Sequence, residues 1–250
     1  MFSLPSAENA CGLFTPAHII SSTICIVIVI ALAILLRSIS DKVLKLLTRV
    51  LSIIISVLEV IKITFKLIIG EGAYIDHYLP LFYCSLFIYA LFMCGFGKGI
   101  IYKIGCTFLQ AGCVFAGLIF LIYPTTSLPD YPVYHFVSIY SAIFHSSMAL
   151  LGFLYLRKQY VKFDKISYFY YVIFVSVPIV ISLILNPICK SNLMLIDNPV
   201  NIPVAFIKAI YEFSPFLYTA CTCLLYLSIP YFFTLGVYAL CKIIKSKFTL

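Results

Sequence analysis

The chain has 250 residues, of which 63% are hydrophobic and only 10% are charged. A water-soluble domain carries about 25% charged residues to cover its surface, so this composition excludes a soluble globular protein. The net charge is +8, but the basic residues lie between apolar stretches rather than on one face. We interpret them as membrane-topology signals, with membrane lipid as the solvent, and expect no nucleic-acid partner.

The first predicted element is a membrane-spanning helix near residues 18–36. No Lys or Arg precedes this apolar stretch, so it lacks the basic segment that begins a cleaved signal peptide. The first span is therefore expected to remain in the mature protein.

Apolar stretches of similar length recur along the rest of the chain. About 20 residues of helix span the hydrocarbon core, whereas a β-barrel strand needs only about 10 residues of alternating polarity. These runs are continuous, so they predict an all-α polytopic membrane bundle. We end each run at charges, prolines or Gly/Asn/Asp clusters. The result is a single integral membrane domain, 1–250, with seven transmembrane helices near 18–36, 47–69, 79–97, 101–123, 134–156, 167–186 and 215–241.

The basic residues predict how this bundle is oriented. With seven spans, 13 of the 17 Lys and Arg residues fall on one side, and only Lys190 and Lys208 fall on the other. The 13 are Arg37, Lys42, Lys45, Arg49, Lys98, Lys103, Arg157, Lys158, Lys162, Lys165, Lys242, Lys245 and Lys247. Cytoplasmic loops are enriched in Lys and Arg, so we expect a multi-pass protein of the cell membrane with its N-terminus outside and its C-terminus in the cytoplasm.

The second span carries charged residues where lipid is expected. Glu59 and Lys62 are three residues apart and share a helix face, and Lys66 follows one turn later. Charged residues inside a span usually face the bundle interior and mark functional sites. A structural ion pair that fixes helix packing, with Lys66 reaching the outer interface, is the alternative interpretation.

Spans three and five contain a thiol and an imidazole at a similar predicted depth. We count 1.5 Å per helical residue from the basic residue at each inner boundary. Glu59 then lies about 15 Å above Arg49, His145 about 18 Å above Arg157, and Cys84 about 21 Å above Lys98. The three side chains are expected to reach one layer just outward of mid-membrane. A buried structural thiol and a hydrogen bond to a neighbouring helix are the alternatives for Cys84 and His145.

Metal or cofactor chemistry has little support in the sequence. Most of the ten cysteines fall inside apolar spans, where they behave as small hydrophobic residues. No HExxH, paired CxxC or similar ligand spacing occurs, so neither a metal nor a cofactor is expected. The longest connection is the outer loop near residues 187–214, which is expected to fold back over the mouth of the bundle.

Six short segments together resemble a known family. They are TPAHII at 15–20, Glu59, LPLFYC at 79–84, LIYP at 121–124, IFHSSM at 143–148 and NPICKSNLMLIDNP at 186–199. In this order they resemble the bacterial YwaF family of integral membrane proteins. That family is similar to a eukaryotic seven-helix lipid acyltransferase and, more distantly, to androgen-inducible lipid hydrolases.

The resemblance implies a cysteine and a histidine that act on acyl lipid esters. These correspond to Cys84 and His145, with His18, Glu59 and Asn192 as further matched polar positions. One position departs from the family pattern, because Phe82 occupies a place where the family often has histidine.

The leading hypothesis is a membrane-embedded enzyme of lipid metabolism that transfers or hydrolyses phospholipid acyl groups. A thiol in an apolar site needs a base within hydrogen-bond reach, and His145 would supply it to Cys84. Glu59 is a candidate to orient the imidazole, and Asn192 is a candidate to polarise the carbonyl. The alternative is a non-enzymatic transporter or solute-binding protein that uses Glu59, Lys62 and His145.

Overall fold

The computed structural model describes residues 10–69, 75–124, 127–200 and 204–248. Within these ranges the chain is helical with short connections and contains no strand. The helices are α1 (Pro16–Leu35), α2 (Asp41–Ile68), α3 (Leu86–Phe96), α4 (Gly99–Ala111), α5 (Cys113–Ile122), α6 (Phe136–Lys158), α7 (Lys165–Cys189), α8 (Ala205–Phe213) and α9 (Pro215–Phe248). The all-α class predicted from the sequence is confirmed.

Several of these helices are long and apolar enough to cross a bilayer. In the described part of the chain there are five, namely Pro16–Ser38, Gly99–Ile122, Phe136–Lys158, Lys165–Cys189 and Pro215–Ile243. The second helix is also long, with 28 residues, but it carries many more charges. The protein is therefore a membrane protein, and these five helices correspond to the first, fourth, fifth, sixth and seventh predicted spans.

The third predicted span, 79–97, is helical over only part of its length. Pro80 lacks an N–H, and residues 82–88 form a tight turn in which Ser85 N–H donates to Phe82 O at 2.9 Å and Phe87 N–H donates to Cys84 O at 3.0 Å. The regular helix begins only at Leu86. The fourth predicted span, 101–123, is interrupted by one residue, Gly112, between α4 and α5.

The outer connection contains structure of its own. Helix α7 continues through Pro187 to Cys189, and a short 3-10 turn at Leu193–Leu195 and helix α8 follow it. Tyr218, Thr219 and Tyr226 of α9 donate hydrogen bonds of 2.7–2.8 Å to backbone carbonyls of residues 194–196. This segment is thereby fixed against the outer half of α9.

One end of the bundle is held by polar contacts between α2 and the residues after α6. Lys158 Nζ lies 3.0 Å from Asp41 Oδ1, and the Tyr160 hydroxyl donates to the same oxygen at 2.9 Å. These hydrogen bonds hold the pKa of the Asp41 carboxyl below its usual value, the bond from Lys158 contributing most. The start of α2 and the end of α6 therefore lie at the same end of the bundle.

Helices α5 and α6 approach each other closely because small residues face each other. A Cβ on Gly117 would lie 2.7 Å from the Ala149 backbone nitrogen, and a Cβ on Gly152 would lie 2.8 Å from the Val114 nitrogen. Small residues at such contacts allow van der Waals packing between backbones, which is a main source of helix association in membranes.

We expect Gly117→Val to destabilise the bundle by about 1–3 kcal/mol, because the new side chain meets α6 backbone that cannot rotate away. Denaturant titration in detergent micelles, followed by circular dichroism, measures this. Gly236→Val is the matched control, since nothing lies within 4 Å of a Cβ at Gly236. Equal stability of the two variants would contradict the packing argument.

Candidate functional site

A large cavity lies between α2, the turn before α3, α5, α6 and α9. Its volume is about 750 Å³. The outer connection contributes Asn192, Leu195, Val200 and Val204 to its wall. We call it the Cys84–His145 cavity, because both of these residues line it. The connection between α7 and α9, which the sequence predicts to be an outer loop, therefore forms part of the cavity wall.

Five of the six residues singled out in the sequence line this cavity: Glu59, Lys62, Cys84, His145 and Asn192. The sixth, His18, does not line it. The depth comparison treated residues 84–98 as one continuous helix, whereas the regular helix begins at Leu86. The turn before α3 nevertheless places Cys84 in the same cavity as Glu59 and His145.

Cys84 lies in the tight turn that precedes α3 and is half-buried. It lines the cavity together with Lys62 and Glu59 of α2 and Tyr140 of α6. The only side-chain charges in this group belong to Lys62 and Glu59, which pair with each other. The thiol is thus placed beside a neutralised ion pair rather than an isolated cation.

His145 is buried, and one ring nitrogen fixes its orientation. Its Nδ1 lies 2.7 Å from the backbone oxygen of Ser141. A carbonyl oxygen only accepts hydrogen bonds, so Nδ1 carries the proton and Nε2 of the neutral ring carries a lone pair. Nε2 is buried and has no hydrogen-bond partner among the described residues. The imidazole is therefore held in a tautomer that accepts a proton at Nε2.

The flat face of His145 packs on an aromatic ring. The ring centroids of Phe120 and His145 are 3.4 Å apart and the planes differ by 7°. Phe144 contacts the same imidazole in a tilted arrangement with centroids 5.1 Å apart. Together with the Ser141 carbonyl, these rings restrict rotation of the imidazole.

Glu59 is engaged by two other partners rather than by His145. Lys62 Nζ lies 2.7 Å from Glu59 Oε1, and the Tyr140 hydroxyl donates to Oε2. Lys62 also lies over the Tyr140 ring, 5.5 Å from its centroid. In this structure it is the Ser141 carbonyl, and not Glu59, that orients the imidazole. The carboxylate instead holds α2 against α6.

Asn192 organises the outer connection with its side-chain amide. Its Nδ2 donates to Asn198 O at 2.9 Å, and its Oδ1 accepts from Asp197 N–H at 3.0 Å. Its backbone N–H donates to Asp76 Oδ2 at 2.9 Å. Both ends of the amide are thus committed to the loop, so Asn192 shapes the rim of the cavity. Asp76 Oδ1, on the same rim, is buried without a partner among the described residues.

His18 has a structural place at the start of α1. Phe14 N–H donates to its Nδ1 at 2.8 Å, and its ring contacts the Phe14 ring with centroids 5.7 Å apart. The side chain of Thr15 caps the same helix by accepting from His18 N–H. His18 is 2% exposed and lies outside the Cys84–His145 cavity.

Sequence reasoning missed several residues of the site. Tyr140 contacts Glu59 and Phe120 packs on His145, while Asp76 and Asp130 add charge at the cavity wall beside Lys66, which the sequence had indicated. Tyr140 could have been predicted from its position in the sequence. It directly precedes Ser141, which lies one helical turn before His145, so Tyr140 is next to the helix face that carries the imidazole. Phe120 offers no such signal, since it comes from another helix.

The site combines a thiol, an imidazole and a wall with apolar and charged parts. The cavity surface is mainly apolar, and its charged residues are Glu59, Lys62, Lys66, Asp76 and Asp130. Within the described ranges, no group of three or more His, Cys, Asp or Glu residues could hold a metal ion. The arrangement suits covalent catalysis by a thiol on a molecule with apolar and polar parts.

Comparison with known proteins identifies one family. The model of the TMEM164 family matches residues 13–233. This region contains every residue that lines the Cys84–His145 cavity, from Glu59 to Pro230. No curated protein and no solved structure matches the chain.

Proposed function

The chain belongs to the TMEM164 family, and we propose that it is a membrane-embedded enzyme that transfers or hydrolyses acyl esters of phospholipids. One observation carries the proposal: Cys84 and His145 line a single cavity, and Nε2 of His145 has a lone pair and no hydrogen-bond partner among the described residues. A thiol and an imidazole so placed supply the nucleophile and the base of covalent acyl transfer.

The proposed reaction has two steps. His145 Nε2 takes the thiol proton while the Cys84 sulfur attacks the ester carbonyl carbon. The bond from that carbon to the glycerol oxygen then breaks, and the departing oxygen receives the proton from His145. In the second step a lipid hydroxyl or water loses its proton to His145 and attacks the thioester, and the carbon–sulfur bond breaks to restore the thiol. No oxidant, metal or cofactor is required.

The nature of the cavity wall supports a phospholipid substrate. Leu79, Phe115, Ile119 and Val137 provide apolar surface, while Lys66, Asp76 and Asp130 lie on the same wall. Ligand pockets bury apolar parts against such surface and use a few polar groups to fix orientation. A lipid ester matches this division between apolar and charged surface.

We further propose that the bundle crosses the cell membrane seven times with its N-terminus outside. Five helices are long and apolar, and in this proposal α2 and the segment 79–97 that ends in α3 are the other two spans. Helix α2 is about 42 Å long at 1.5 Å per residue, and Glu59 and Lys62 within it neutralise each other. The segregation of 13 of 17 basic residues supports the orientation. The resemblance to the YwaF family is consistent with this topology.

The function is tested by trapping the acyl-enzyme. Purified protein is incubated with a fluorescent phospholipid, quenched in acid and digested, and the peptide containing Cys84 is analysed by mass spectrometry. We expect a hydroxylamine-sensitive acyl adduct on Cys84 in the wild type and none in Cys84→Ala. Cys223→Ala is the matched control, because this half-buried cysteine lies outside the cavity. Unchanged turnover in Cys84→Ala would exclude the thioester mechanism.

A second candidate function is supported by the charged residues of the cavity. Glu59 and Lys62 form a 2.7 Å ion pair on the wall of a cavity that also contains Asp76 and Asp130. A transporter or solute-binding protein would use such groups to hold a polar ligand. Solute uptake into proteoliposomes that survives Cys84→Ala but is lost in Glu59→Gln would favour this function over the enzyme.

A further inference from the structure

A second cavity of about 360 Å³ lies between α1, the end of α5 and α6. We call it the α1–α6 groove, and its walls include Cys25, Ile28 and Leu32 of α1 and Ile139, Ala142 and Leu150 of α6. In the part of the chain that the structure describes, no Asp, Glu, Lys or Arg lines it. The groove therefore differs from the Cys84–His145 cavity, which contains five charged residues.

The two cavities lie on adjacent faces of α6. Ser141 and His145 line the Cys84–His145 cavity, whereas Ala142 and Ser146, each one residue later, line the groove. One residue corresponds to about 100° of rotation around a helix. The groove thus begins immediately beside the proposed catalytic imidazole.

Phe120 forms a wall that both cavities share. Its ring lines the groove and the Cys84–His145 cavity, and it is the ring that stacks on His145 with centroids 3.4 Å apart. Phe120 therefore borders both the proposed reaction site and the groove.

We propose that the α1–α6 groove binds the fatty acyl chain of the ester that Cys84 attacks. This inference rests on the proposed function and specifies where the apolar part of its substrate is held. The chain passes Phe120 and runs inward along α6, toward Leu32 and Leu150.

The shape and chemistry of the groove favour this occupant. From Ser138 to Leu150 it follows α6 for about 18 Å, which is more than half of the roughly 30 Å hydrocarbon core. The groove has room for about a dozen chemical groups, each about as large as a water molecule. Six serines line the groove, but apolar side chains form most of its surface, and a phospholipid head group would need charged partners that this wall does not offer among the described residues. The Ser21 hydroxyl is already bound to the His18 carbonyl.

The test fills the groove and compares acyl chains. Ala142→Phe and Cys25→Phe each place a ring in the groove, and Ile24→Phe is the control on the adjacent, 54% exposed position of α1. Turnover of dihexanoyl and dipalmitoyl phospholipid is measured for each variant. We expect the ratio of long-chain to short-chain turnover to fall about tenfold or more in the two groove variants and to stay unchanged in the control. An unchanged ratio in both groove variants overturns the proposal.

A binding measurement separates this proposal from the proposed function. A palmitoyl phospholipid with a diazirine at the end of its chain is photolysed with Cys84→Ala protein, and labelled residues are mapped by mass spectrometry. Labelling of residues 138–150 that falls in Ala142→Phe but not in Ile24→Phe supports the groove even if no ester is turned over. Labelling that is unaffected by Ala142→Phe overturns it, even if the wild type is an active enzyme.

Discussion

His145→Ala is expected to lower turnover of a phospholipid ester by about 10²–10⁴-fold, the contribution typical of a general acid–base residue. The reason is the position of Nε2, which is buried without a partner among the described residues while Nδ1 is bound to the Ser141 carbonyl at 2.7 Å. Without the imidazole, the cavity loses the ring nitrogen that takes the thiol proton in the proposed reaction. Single-turnover acylation of Cys84 measures the loss directly.

The control for this experiment is His135→Asn. His135 caps α6 by accepting a hydrogen bond from Val137 N–H at 3.2 Å, and asparagine is an effective N-cap residue. It does not line the Cys84–His145 cavity. We expect this variant to acylate Cys84 at close to the wild-type rate. If His145→Ala also does so, the imidazole is not the base.

Glu59→Ala is expected to destabilise the protein by about 3 kcal/mol, near the lower end of the cost of removing one partner from a buried ion pair. The carboxylate is buried, at 6% exposure, and accepts from Lys62 Nζ at 2.7 Å and from the Tyr140 hydroxyl. Its loss leaves an ammonium and a phenol without their acceptor. Because 22% of the Lys62 side chain is exposed, water relieves part of the cost.

Denaturant unfolding in micelles measures this effect, and a double variant identifies its cause. If the orphaned ammonium causes the loss, Glu59→Leu/Lys62→Met should recover most of the wild-type stability, because apolar residues of similar size replace the pair. Equal destabilisation of the single and double variants would contradict this. Turnover adjusted for the folded fraction then shows whether Glu59 also acts in the reaction.

The residues of the candidate site were predictable where one helix carries the signal. Glu59 and Lys62 are three apart on α2, and their pairing follows from that spacing alone. Ser141 and His145 are four apart on α6, so the bond between them is also local. The catalytic role of Cys84 and His145 stays a prediction, and the structure shows that both residues line one cavity.

Contacts between helices were not predictable in the same way. The partner of Glu59 was expected to be the imidazole, whereas the structure places Tyr140 there and gives the imidazole a backbone carbonyl. Phe120 of α5 reaches His145 only because Gly117 and Gly152 let α5 and α6 approach closely. Such contacts depend on how far each helix is rotated about its axis and shifted along it. The hydrophobicity of a helix determines neither the rotation nor the shift.

The sequence by itself determined that this chain is an all-α membrane protein, since runs of about 20 apolar residues must satisfy their backbone hydrogen bonds within each helix. Its charge pattern also determined which residues to consider for a site. The tertiary structure decided that Pro80 and a tight turn shorten α3, that Asn192 is committed to its own loop, and that Phe120 lines two cavities. The physical reason is that close packing joins residues distant in the chain, and the composition of any single helix does not specify that packing.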